Sequence, residues 1–187
     1  MSSASHDLSN TVLAMRREFD LSFAQAPNAQ TAKPENFLGI RLGDDAYAIR
    51  TAEIGGLHVD CRVMPLPTSV PAFLGVAGFR GLIAPVYDLA KLLGYASNST
   101  HRWVVLVRLG EPIAFAFETF ESHFSADSNS IIEATQIGTT TPGDVNSHLL
   151  DAVRIDAVMR PIIHLQSLIE AIQRTVASSV RPRSNQA

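Results

Sequence analysis

The sequence predicts a mainly β fold, two small lobes of curved sheet with short helices and a closing C-terminal helix. Three observations carry that reading. Short stretches dense in β-branched and aromatic residues recur with turn chemistry between them: 37–42, 103–109 and 113–117. Gly75, Gly78 and Gly81, followed by Pro85, break the centre of the chain into runs too short for a long helix and suited to tightly turning strands. Extended helical spacing is confined to the two ends.

From Ser9 to about Phe23, Val12, Met15 and Phe19, with Leu8 one turn before, fall at helical intervals beside Arg16, Arg17 and Glu18, which predicts an amphipathic helix. Pro27, Asn28, Gln30 and Pro34 then follow without periodicity, so residues 1–35 read as a helix and linker ahead of a domain spanning 36–176. Phe37, Leu38, Ile40 and Leu42, the turn Gly43-Asp44-Asp45, and Tyr47 with Ile49 predict an opening hairpin. Residues 72–87 predict a curved sheet, and Asp88 to Leu93 a short helix capped by Asp88 and stopped by Gly94. These elements make a first lobe of about 36–100. A second lobe of about 101–164 opens with a hairpin around Gly110-Glu111-Pro112. It continues through a polar surface loop at 125–147 and ends in a strand at 158–164. Leu165, Leu168, Ile169, Ile172 and Val176 share one face of a closing helix over 165–176, followed by a polar tail over 177–187.

Composition limits the function classes. A chain of 187 residues suits one functional unit, and 46% hydrophobic against 18% charged residues is enough apolar material to fold. A formal net charge of -3 provides no basic field for nucleic acid or an anionic membrane, which leaves proteins as the expected partners. Cys61 is the only cysteine, no apolar run approaches the ~20 residues of a membrane span, and the N-terminus lacks a secretory pattern. The expected location is the cytoplasm, without membrane insertion. The six histidines show no metal-binding spacing, and neither a G-x-S-x-G elbow nor a phosphate-binding loop occurs. Asp44-Asp45 reads as solvated turn chemistry and Cys61 as an inert thiol. The expectation is a protein that is not an enzyme and needs no cofactor or metal.

The stretch Pro71-Ala72-Phe73-Leu74-Gly75-Val76-Ala77-Gly78-Phe79-Arg80-Gly81-Leu82-Ile83-Ala84-Pro85-Val86-Tyr87-Asp88-Leu89 resembles the central segment of the CheW coupling-protein family, where GV-x-N-L-R-G runs into V-P-x-x-D-L. Phe37 to Ile49 is similar to that family's opening hairpin, Val63 to Pro67 to its Pro-rich approach, Ala114 to Phe120 to its V-D-x-V strand with Glu118 in the Asp position, and Val158 to Ile169 to its closing strand and helix. The resemblance covers 36–172. It implies two small five-stranded β-barrels sharing a core, and a non-catalytic scaffold that joins the regulatory domain of a CheA-type histidine kinase to the cytoplasmic tip of chemoreceptors. Gly56 replaces a glutamate found in many members, Gly78 an asparagine, and Ala152 a glycine, which opens a second reading: an adaptor of another chemosensory system that modulates or competes with array assembly.

Arg80 falls on the family's arginine, and a planar guanidinium with five donors suits carboxylates or carbonyls across an interface. The expected partner-binding set is Arg80, Phe79, Gly78, Val76 and Phe73, with core burial the competing reading for the apolar members. The rival from a different class, a small β-barrel hydrolase with a dispersed Ser/His/Asp set, is opposed by the missing nucleophile signature. The helix over 9–23 is expected either to pack on its own domain or to dock into a partner's groove.

Overall fold

The computed structural model describes residues 34–96, 100–108, 110–133, 148–149, 151–155 and 158–179. The helix and linker expected before residue 34, most of the polar loop after 133 and the tail beyond 179 lie outside the described residues. The strands are β1 (Glu35–Leu42), β2 (Asp45–Arg50), β3 (Ile54–Val59), β4 (Phe73–Phe79), β5 (Leu82–Asp88), β6 (Trp103–Val107), β7 (Ala114–Phe117), β8 (Thr119–Ala126), β9 (Ile131–Glu133), β10 (Asp151–Ile155) and β11 (Val158–Ile163). Among the described residues two α-helices join them, α1 (Leu89–Leu92) and α2 (Leu165–Ser179), with short 3-10 turns at Thr51–Glu53 and Ser128–Ser130.

Turn chemistry sets the hairpins. β1 and β2 pair antiparallel from Leu42 opposite Asp45, and Gly43 at φ 59° supplies the left-handed residue of the two-residue turn. β4 and β5 likewise close on Phe79 opposite Leu82, with Arg80 at φ 46° and Gly81 at φ 89°. Two consecutive positive values match the type I′ turn, whose twist suits the flanking strands.

Strands sort into a six-stranded sheet, order β8-β1-β2-β11-β10-β9, and a five-stranded sheet, order β3-β6-β7-β5-β4. The mainly β, two-lobed class holds, but two expectations need correction. The lobes are not five-stranded barrels alike: one sheet has six strands, and among the described strands neither ladder closes on itself. Nor do they divide at residue 100. The first hairpin joins the sheet of β8–β11 through a parallel pairing of β2 with β11, while β6 and β7 join β3–β5 through a parallel pairing of β5 with β7. Such contacts between distant segments leave no trace in local periodicity. The polar stretch 125–147 is also not loop throughout: Ser125 and Ala126 finish β8, and 131–133 form β9.

The largest core cluster lies between the sheets. Leu38, Ile40 and Ile49 meet Val105, Phe115 and Phe117, and Leu165, Leu168 and Ile172 of α2 pack onto them. Smaller clusters fill each sheet's other side, Ala77, Phe79, Ala84, Val86, Val104, Ala114 and Ala116 in one, Phe37, Ala48, Val153 and Ile162 in the other. β7, buried along its whole length, therefore reads as an unbroken apolar run, because both its faces are covered. Across the join, Tyr95 donates its hydroxyl to Asp45 Oδ2 at 2.5 Å and meets Tyr47 Oη at 2.5 Å. Asp45 is thus a partner in the inter-sheet contact as well as a turn former.

The expected cap of α1 is present: Asp88 Oδ1 accepts from Lys91 N at 3.2 Å, and Gly94 at φ 80° ends the turn. Asp88 has no solvent exposure, and its Oδ2 lies 3.0 Å from His101 Nε2. Burial pushes this carboxyl up, but the nearby His101 imidazole, the hydrogen bond from the Lys91 backbone amide and the Lys91 ammonium outweigh it, so its pKa is lowered. Asp151 is lowered by the same balance, with burial opposed by Arg50 at 2.7 Å and His164 at 3.0 Å. A carboxyl with a depressed folded pKa stabilises the fold above the unfolded value near 4 and loses that contribution as pH falls through the folded value. Unfolding free energy is therefore expected to decline on acidification below about pH 4. In urea titrations Asp151→Asn should flatten part of that decline, and an unchanged slope would remove Asp151 from the account.

An exposed apolar strip beside the Arg80 turn

β4 is an edge strand, and the segment after β3 crosses it. Met64 N donates to Val76 O at 2.8 Å and Val76 N donates to Met64 O at 2.9 Å, so Met64 and Val76 form an antiparallel bridge. The crossing needs a bare backbone beneath it. Gly75, at φ 139°, sits where a Cβ would lie 2.0 Å from Met64 O. The pairing register then fixes which side chains share a face. Ala77 opposes Ala84 and Phe79 opposes Leu82, with Ala77, Phe79 and Ala84 in the inner cluster; Val76 opposes Pro85 and Gly78 opposes Ile83 on the outer face. Directly opposed residues share a face, so Met64, Val76, Ile83 and Pro85 form one strip. Ile83 is 74% exposed and Met64 61%. With half-buried Val76 between them on the same face, these open apolar side chains form a surface patch of the kind that marks a contact face.

Arg80 stands at the end of this strip in the β4–β5 turn, exposed, with no ion pair among the described residues. Gly78 is exposed, and a Cβ added there meets nothing within 4 Å. Val76 is half-buried in the strip. Phe73 is half-buried too, but at the other end of β4, against Tyr87 with ring centroids 5.3 Å apart. Phe79 is 2% exposed and belongs to the core of the five-stranded sheet. Its expected role as a contact residue is corrected: the two-residue turn sets its parity inward, and it offers no side chain to a partner. Met64 and Ile83 are not legible as site residues until that parity is known. The available signal is the pairing of Ile83 with a glycine, which leaves its side chain uncovered.

Other clusters have different chemistry. Ser167 and His148 approach at 3.0 Å, a pairing of the residue types a hydrolase would use. Ser167 Oγ, however, donates to His164 O at 2.8 Å, so its proton is committed to a carbonyl and the hydroxyl faces His148 as an acceptor. Burial lowers the His148 pKa, with Arg174 adding to the effect, and among the described residues no carboxylate orients the ring. Glu121 accepts from Arg41 at 2.6 Å and from Arg160 at 2.7 Å, a satisfied three-residue network. A groove of ≈ 480 Å³, lined by residues including Pro71, Tyr95, His148 and Ile172, runs between α2 and the turn after α1. Among the described residues no group of three or more His, Cys, Asp or Glu is placed to share a metal ion, and no helix is long and apolar enough to cross a membrane.

A family model described as the CheW-like domain matches residues 36–173. The crystal structure of the scaffolding protein TtCheW from Thermoanaerobacter tengcongensis is similar in fold, with a TM-score of 0.65 at 22% sequence identity, covering 73% of this chain and 93% of that one. No curated protein matches the chain.

Proposed function

The chain belongs to the CheW-like domain family, and on that premise we propose that it is a non-catalytic scaffold coupling chemoreceptors to a CheA-type histidine kinase in chemotaxis or motility signalling. The observation that supports this reading most is the outer strip of Met64, Val76 and Ile83 ending at the exposed Arg80. An apolar centre with a cation at its edge is the composition of a protein–protein contact, not of a pocket for a reactant. In this reading the regulatory domain of the kinase docks on the strip, with a carboxylate or carbonyl against Arg80, while a receptor's cytoplasmic tip binds elsewhere on the domain. Holding both raises their effective concentration without any chemistry by the scaffold. The site of action is then cytoplasmic, at receptor arrays, and neither nucleic acid nor direct membrane insertion takes part.

Arg80→Glu tests the reading. Glutamate inherits the same exposed turn position, so unfolding free energy is expected to move by ~0.5 kcal/mol or less, while capture of the purified kinase regulatory domain falls at least tenfold. Equal capture by mutant and wild type would remove Arg80 from the interface. Gly78 supports a second reading: in place of the family's asparagine it leaves bare backbone at the surface, as expected of an adaptor tuned to a different kinase. Under that reading the chain competes with a typical coupling protein for receptors instead of joining its array.

A further inference from the structure

β3 and β4 are the outermost strands of the five-stranded sheet, β4 being bridged at Val76 by the crossing segment, and among the described strands no hydrogen-bond ladder joins the two. The sheet's curl brings them together through a side-chain contact, the imidazole of His58 on β3 against the ring of Phe79 on β4, with centroids 4.9 Å apart and planes tilted by 59°. His58 opposes Val104 and Gly56 opposes Leu106, which puts both on the inner face with the alanine-rich cluster. Gly56 is where the ring finds room, since a Cβ there would lie 2.8 Å from His58 Nε2. Phe79 is the residue immediately before Arg80, and its ring ties the base of the turn across the open side of the sheet.

We infer that His58, seated by Gly56, is a positioning residue that holds the Arg80–Gly81 turn in place through Phe79. The inference rests on the docking reading for its consequence, but not for its geometry. It also assigns a reason to the glycine at 56: the inner-face space that a larger residue takes is here given to an imidazole. A tilted aromatic contact of this kind is modest in strength, and its loss is felt where the chain has few other restraints, at a two-residue turn.

The test uses the full chain with His58→Ala, His58→Phe and Gly56→Ala. Hydrogen exchange of segment 77–84 reports the turn, and affinity for the purified kinase regulatory domain reports docking. His58→Ala is expected to speed exchange in that segment and to weaken binding about fivefold, and His58→Phe, which restores a ring on Phe79, to recover both. Gly56→Ala, which displaces the ring without deleting it, should reproduce the His58→Ala effect in the wild type and add nothing in the His58→Ala background. It serves as the test on its own should His58→Ala not fold. Unchanged exchange in His58→Ala and Gly56→Ala overturns the inference whatever binding does. Faster exchange with unchanged binding, while Arg80→Glu still weakens it, also overturns it. Failure of Arg80→Glu alone sinks the docking reading and leaves the exchange result to decide the role of His58.

Discussion

Gly75→Ala is expected to destabilise the domain by about 3 kcal/mol or more. Two penalties combine. At φ 139° a side chain is strained whatever the space around it, and the added Cβ would sit 2.0 Å from Met64 O, 2.7 Å from Met64 C and 2.8 Å from Pro65 Cα. All three neighbours are main-chain atoms, held in place by the paired hydrogen bonds between Met64 and Val76, so relief requires breaking the bridge itself. Because Met64 is one of the two most exposed residues of the outer strip, any folded fraction should also bind partners poorly. Gly78→Ala is the control, three residues further along the same strand, where nothing lies within 4 Å, and its cost should stay within about 0.5 kcal/mol. Urea unfolding followed by circular dichroism measures both. A Gly75→Ala protein within about 1 kcal/mol of wild type would mean that the crossing segment is free to lift away.

Ile83→Asp is expected to produce the largest loss of binding with the smallest effect on the fold. Ile83 is 74% exposed and faces Gly78 across the hairpin, so removing it opens no cavity, and the unfolding free energy should shift by about 0.5 kcal/mol. At the centre of a docked interface the same change buries a carboxylate against apolar atoms, and a loss of roughly 30-fold or more in affinity follows for a residue of this kind. The comparison with Leu82→Asp is informative, since Leu82 is 54% exposed but opposes Phe79 on the other face of the hairpin. A strip on the outer face predicts a much smaller loss at Leu82. Equal losses would indicate contact with the hairpin tip as a whole, and no loss at Ile83 would exclude the strip.

Much of this architecture is readable in the chain because local chemistry dictates it. Gly43 and the Arg80-Gly81 pair sit where tight turns demand positive φ, Asp88 caps α1, Gly94 ends it, and the apolar face of Leu165, Leu168 and Ile172 produces α2. Strands with weak local signals are not. β3 runs Ile-Gly-Gly-Leu-His-Val with a bulge between Ile54 and Gly56, and β8 alternates phenylalanine with polar residues on a half-exposed edge. The exchange of hairpins between the sheets depends on parallel pairings of β2 with β11 and β5 with β7, which burial decides and local pattern does not. Arg80 is found from its motif. Phe79 is misplaced by sequence reasoning for a physical reason: without the turn length, the facing of residues beside the arginine is undetermined, and a one-residue difference reverses it. His58 carries no local signal at all, because its role depends on two sheet edges that are distant in sequence and meet only when the sheet curls.

The most direct test of the docking face is to titrate isotope-labelled protein with the purified kinase regulatory domain and follow backbone amide shifts. Contact through the outer strip predicts that the strongest perturbations cluster at 62–66 and 76–85, around Met64, Val76, Arg80 and Ile83. Perturbations concentrated on the six-stranded sheet, or none at saturating kinase domain, would contradict it.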